Sequence, residues 1–384
     1  MIRPVATLPP KERERLRPPG DAPLPATTPP RRSGHPWWFV VLEVMLLLSV
    51  PLLGYFGGRA LLSTKAGTFT SQPEPGEPGW HALVDPSPVV AIAEVLDDRV
   101  TGLVVVAEPG QGTAGGALIM VPGALQLADG RRLSELSPSD ALAGLSVELR
   151  LGFTETYVVS PTDWAAVIGD KAYEIDNPDP IAGADGELVF PVGRVTVDAT
   201  TAAVFLGASE VGTNPLSLLY RRELFWQALL ADPPTTIDPV AVLIEQVTAG
   251  TERIDDLPTE QLDNERVIDP EGAEALINTV VPLPSGSQPG DRVAIRVVDR
   301  SGQHDTQAIA LALGALGLEV TEIANAAIFD DGPTQLVVPS SVDIEAMREL
   351  AADLGADTVS PDPVDETELS TVVLLVGNDI DLGG

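Results

Sequence analysis

Arg221 and Arg222 lie side by side in SLLYRRELFWQALL (217–230). Two guanidinium forks could together neutralise an anion, above all a phosphate group, which makes them the anion-binding candidates of the chain. The plainer reading is pairing on a helix surface with Glu223 or nearby acids. Gly110-x-Gly112-x-x-Gly115 spells a dinucleotide fingerprint, but GALIMVP (116–122) follows it as a strand, so the helix N-terminus that would hold a phosphate is missing and a glycine-rich hairpin is expected. Asp176, Asn177, Asp179 and Asp185 in DNPDPIAGAD could offer oxygen ligands to calcium; their spacing fits no known loop and reads as a solvated turn. His81 reads as an exposed linker residue and His304 as a helix-start residue. Trp164 and Trp226 could be sugar platforms, but read better as core fillers.

With no Cys and only 3 His, the chain has no thiolate metal site and little room for a His-based metal centre or a Ser-His relay. No catalytic residue, metal ligand or cofactor is assigned. A formal charge of -33 argues against nucleic acid as a partner.

The elements that must position these residues give a mixed α/β (α+β) chain. Val89–Leu96, Thr101–Val106, Ala117–Val121 and Thr156–Val159 read as strands, with helical spacing over Ser139–Leu151 and a helical turn at Asp163–Ile168. Leu216–Ala231, which carries both arginines, is the best amphipathic helix. The last part reads β-α-β-β-α-β, a split βαβ sandwich. Its strands are Asp291–Asp299, Leu318–Ile323, Gln335–Pro339 and Thr371–Val376; its helices are Asp305–Leu316, stopped by Gly317, and Val342–Leu354, stopped by Gly355.

Charge asymmetry gives a topology. Residues 1–36 hold seven basic and three acidic side chains, whereas those from 58 onward hold 16 basic and 52 acidic ones. Between them WWFVVLEVMLLLSVPLLGYF (37–56) is long enough to cross a bilayer, with Trp37 and Trp38 at one interface and Tyr55 at the other. The positive-inside rule places the N-terminus in the cytoplasm and the rest outside. The expected organisation is a disordered basic tail (1–36), a transmembrane helix (37–57), a linker (58–88), a mixed domain (89–284), a second linker (285–290) and a C-terminal domain (291–384) able to fold by itself.

RVAIRVVDRSGQHDTQAIALALGALGLEV (292–320), QLVVPSSVDIEAMRELAADLGAD (335–357) and TVVLLVGNDI (371–380) together resemble the LytR C-terminal domain of actinobacterial envelope proteins. Typical members read Asn-Gly-x-Gly after the first strand; this chain has Asp299-Arg300-Ser301-Gly302. Residues 89–284 in turn resemble a degenerate LytR-CpsA-Psr domain, through 103–125, 147–170, VFPVGRVTVDATTAAVFLGAS and YRRELFWQALL. That resemblance implies transfer of glycopolymers from a polyprenyl-pyrophosphate carrier, by clustered arginines on the pyrophosphate and acids holding a divalent metal. The charges it calls for fall on Gly123, Ala124, Gly207, Ser209, Pro215 and Leu218; Arg221 and Arg222 alone stand at matching places.

The resulting expectation is a membrane-anchored, non-catalytic cell-envelope protein that binds wall polymer or an envelope protein and meets the bilayer through 37–57. The alternative is a glycopolymer transferase, attaching polyprenyl-pyrophosphate-linked polymer to peptidoglycan through a site built around Arg221 and Arg222.

Overall fold

The computed structural model describes residues 73–108, 116–182, 186–208, 215–248, 253–262, 265–339, 342, 344–359 and 371–380. The basic tail, the membrane segment with Trp37, Trp38 and Tyr55, the Gly110–Gly115 motif, Asp185 and Ser209 lie outside the described residues. Among the described residues no helix is long and apolar enough to cross a membrane. The described residues belong to one compact unit.

Its first sheet is built on an antiparallel meander, β2 (Val89–Leu96), β3 (Arg99–Ala107) and β4 (Ala117–Pro122). β6 (Glu155–Val159) adds in parallel beside β2 and β11 (Arg253–Asp256) in parallel beside β4, for the order β11-β4-β3-β2-β6. Val89, Ala91, Leu103, Val105, Ile119 and Val121 pack under α1 (Pro138–Glu148) and the more distant α6 (Pro270–Val280). Both helices start with Pro at the first turn behind a capping side chain: Ser137 accepts from the Asp140 amide, and Asp269 from that of Gly272.

The alternate residues, Val90, Ile92, Val104, Val106, Leu118 and Met120, face a second core. It is roofed by α2 (Trp164–Ile168), α3 (Ala202–Gly207), α4 (Pro215–Ala231) and α5 (Pro239–Thr248), together with the antiparallel pair β7 (Ala172–Asn177) and β10 (Gly193–Asp198). Burial on both faces is why these strands read as continuous apolar runs and not as alternation. β5 (Leu125–Gln126), β12 (Thr259–Leu262) and β13 (Glu265–Ile268) make a small side sheet, and β8 (Ile181–Ala182) pairs with β9 (Leu188–Phe190).

The C-terminal part runs β14 (Ala294–Asp299), α7 (Thr306–Ala315), β15 (Glu319–Asn325), β16 (Gln335–Val337), α8 (Ile344–Asp353), β17 (Asp357–Val359) and β18 (Val372–Val376). Gly317 and Gly355 take φ of +82° and +63°, the left-handed geometry in which a helix-stopping glycine is used. With β1 (His81–Leu83) at one edge, the sheet order is β1-β15-β14-β18-β16-β17, and it departs from the expected split βαβ sandwich in three ways. β14 and β15 are direct parallel neighbours, so that βαβ unit is not split. β17 is an additional strand, parallel to β16. The edge strand β1 (His81–Leu83) comes from the stretch expected to be linker, and pairs antiparallel with Glu322–Ala324. Three residues with two exposed side chains are too few for any periodicity to announce a strand.

Candidate functional site

α4 carries the arginine pair into the interior and not onto a surface. Leu219, Phe225, Trp226, Leu229 and Leu230 bury its core stripe, and Arg221 and Arg222 fall within that stripe at 1% and 0% exposure. Pairing with Glu223 is therefore not what holds them.

Arg222 is enclosed by acceptors. Its Nε donates to Glu94 Oε2 at 2.6 Å, Nη1 to the Val121 carbonyl at 2.8 Å and Nη2 to the Leu103 carbonyl at 3.0 Å. One turn further along α4, Trp226 Nε1 donates to the other oxygen of Glu94 at 2.7 Å. Glu94 is itself 1% exposed on β2. A buried carboxylate and guanidinium stand only when paired and hydrogen-bonded, and here both are. Room for the guanidinium comes from Gly102, which faces Glu94 across β2 and β3. A Cβ on Gly102 would lie 2.0 Å from Arg222 Cζ.

Arg221 is less completely met. Nη2 donates to the Ala208 carbonyl at 2.6 Å, and the guanidinium lies 5.9 Å from the Phe205 ring centre. Its Nε has no partner among the described residues, nor have the buried Oδ1 atoms of Asn177 and Asp179. Burial depresses its pKa, and the Asp179 carboxylate works in the opposite direction. Asn177 holds the turn before β8 by donating to the carbonyls of Asp179 and Pro191.

Other candidates fall into structural places. Trp164 and Trp226 are fully buried, Trp164 meeting the Phe225 ring edge-on at 5.4 Å. His81 lies on β1, and His304 Nε2 meets the Gly377 carbonyl at 2.9 Å beside the loop organised by Asp299. Gly123, Gly207 and Leu218 are in ordered structure, and Gly207 packs so closely on Thr101 that a Cβ would meet Thr101 Cγ2 at 2.5 Å. Among the described residues no group of three or more His, Asp or Glu is placed to hold a metal.

A cavity of about 450 Å³ opens where the α1 end, α6 and the start of β14 meet, with Leu127, Leu149, Arg150, Ile277, Arg292 and Leu318 on its walls. Its arginines are already engaged with the fold: Arg292 Nε donates to the Arg150 carbonyl at 3.1 Å and Nη1 to the Gly317 carbonyl at 2.9 Å, while Arg150 donates to the Asp291 carbonyl.

No family model and no curated protein matches the chain. Solved structures similar in shape to part of the chain include two that carry the LytR-CpsA-Psr name. A LytR-Csp2A-Psr enzyme from Actinomyces oris is 17% identical with a TM-score of 0.40, covering 53% of this chain and 93% of that one. B. subtilis TagV is 14% identical with a TM-score of 0.38, over 51% of this chain and 96% of its own. The LytR-CPS2A-psr family protein YwtF (TagT) with bound octaprenyl pyrophosphate lipid is 11% identical with a TM-score of 0.36, over 55% and 94%.

Sequence reasoning missed Glu94 and Gly102. The signals existed: one acid inside the otherwise apolar VVAIAEVL, and an Arg and a Trp four residues apart on an apolar helix, hence on one face.

Proposed function

We propose that the chain is a membrane-anchored, non-catalytic cell-envelope protein of the LytR-CpsA-Psr type, with its N-terminus in the cytoplasm and its acidic part outside, binding wall polymer or an envelope partner. The observation that carries this reading is the enclosure of Arg222. A fully buried guanidinium with three of its five N–H groups committed to Glu94 and two main-chain carbonyls has no open face to offer a phosphate. Removing it to serve one would strand the Glu94 charge in the core. Arg221 then remains as one guanidinium beside Asp179, and a pyrophosphate leaving group demands more neutralisation than that.

A second reading, transfer of a polyprenyl-pyrophosphate-linked polymer, is favoured by one observation: the unpartnered buried atoms on Arg221, Asn177 and Asp179 are polar groups without an assigned use. The experiment that separates the two supplies purified full-length protein with magnesium and a polyprenyl pyrophosphate and measures phosphate release. No release above a protein-free control is expected. Turnover that disappears on Arg221→Ala would overturn the first reading and establish the second.

A further inference from the structure

We infer that residues 77–84 are a releasable strap that completes the C-terminal sheet, so that the 89–284 part is an insertion between two segments of one C-terminal body. The inference holds whichever reading of Arg221 is right.

The strap is made by main-chain bonds along the outer edge of β15. The Asn325 amide donates to the Trp80 carbonyl at 2.7 Å, that of Gly79 to Ala326 at 2.9 Å, and that of Val84 to Thr321 at 3.1 Å. Asn325 Nδ2 adds a bond to the Glu77 carbonyl at 2.9 Å. Val84 and Leu283 both pack against the C-terminal core, and Ser87 ties the two stretches by donating its amide to the Leu283 carbonyl and accepting the Leu283 amide on Oγ. The chain therefore contributes a strand to its C-terminal sheet before it begins the five-stranded sheet, and returns to the same place afterwards.

The return is equally close. Gly152 donates to the Ser285 carbonyl at 2.9 Å. A Cβ on Gly314 would stand 1.9 Å from the Pro282 carbonyl oxygen, so α7 lies directly on the stretch that leads into the expected linker. Arg292, 7% exposed, joins the end of α1 to the turn before β15.

The two attachments differ in strength for a physical reason. The 282–292 side buries side chains and a guanidinium. β1 leaves His81 and Leu83 exposed, Leu83 at 81%, and the strap sets the half-buried Val84 against the core, so its hold rests mainly on a few edge hydrogen bonds of modest net worth. An edge of that kind opens locally while the core stays folded. When it opens, β15 presents bare donors and acceptors.

The test uses the full chain, whose lack of cysteine makes any disulfide unambiguous. Leu83 faces Glu322 across the pair. Leu83→Cys with Glu322→Cys should form an intramolecular cross-link under mild oxidation, closing a loop of about 240 residues and changing mobility on a non-reducing gel. Failure to cross-link, or cross-linking only between molecules, overturns the strap. Ala82→Pro removes an amide in the middle of β1. Amide exchange at Ile323 and Asn325 should then rise about tenfold or more, while Ala324, whose amide points to β14, keeps its protection. No change at Ile323 and Asn325 refutes the strap, and equal acceleration throughout β14, β15 and β18 refutes its separate release.

Discussion

Replacing Gly102 by Ala should unfold the chain more readily, although the usual expectation runs the other way. Alanine inside a strand normally stabilises relative to glycine, by roughly 0.5–1 kcal/mol, because the unfolded chain loses less freedom. At Gly102 the added methyl would lie within 2.0–2.3 Å of three atoms of the Arg222 guanidinium. The guanidinium cannot slide aside, since Glu94, Val121 and Leu103 hold it on three sides. Expelling it breaks the ion pair and leaves Glu94 buried with Trp226 as its remaining donor. Breaking a buried pair costs about 3–5 kcal/mol, which outweighs the alanine gain several-fold and lowers Tm by about 10 °C. Thermal unfolding followed by tryptophan fluorescence measures the loss, with Trp226 next to the perturbation. Arg222→Met should cost as much, and Glu94→Gln combined with Arg222→Met should cost less than the sum of the two single changes. A Gly102→Ala variant as stable as the parent, or additive single changes, would refute the buried network.

The remaining expectations follow from other parts of the chain. Protease added to intact, wall-stripped cells should digest epitopes beyond residue 70 and spare one before residue 30; the reverse pattern sinks the proposed topology. Glu223 is pushed above the usual carboxylate range by burial and then by Asp256, and Asp256 by burial against the pull of Arg222 and Arg266. Both acids bind protons more readily folded than unfolded, so their contribution is fully present below the unfolded values and is lost as pH rises through the raised ones. Melting curves taken upward from about pH 4 should show that loss, and Glu223→Gln with Asp256→Asn should flatten it. Arg292→Met should speed proteolytic nicking within 285–290, with cleavage at the parent's rate as the contrary result.

The sequence shows the fold best where one residue type suffices to explain an element. The apolar runs of β2, β3 and β4 and the glycine stops after α7 and α8 were all readable, each fixed by a local need. What was illegible depends on partners far along the chain. β1 takes its identity from residues 322–324, and nothing in HAL distinguishes it from linker. Gly286 and Gly290 suggested slack, yet the start of that stretch is held by the Gly152 amide on the Ser285 carbonyl. At the candidate site the arginine pair was visible and its fate was not. A charge on an apolar helix looks available until the opposing strands are known to carry Glu94 on β2 and, facing it on β3, Gly102 with no side chain.

The place of β1 also sets a schedule for synthesis. His81–Leu83 leave the ribosome among the first residues of the compact part, but their partners on β15 follow about 240 residues later, and at roughly 5–20 residues per second that is a wait of tens of seconds. The meander β2, β3 and β4 needs no such delay, because each strand pairs with the next one made. The earliest of the described strands thus waits for β15, and the nascent chain carries it unpaired until residues 322–324 emerge.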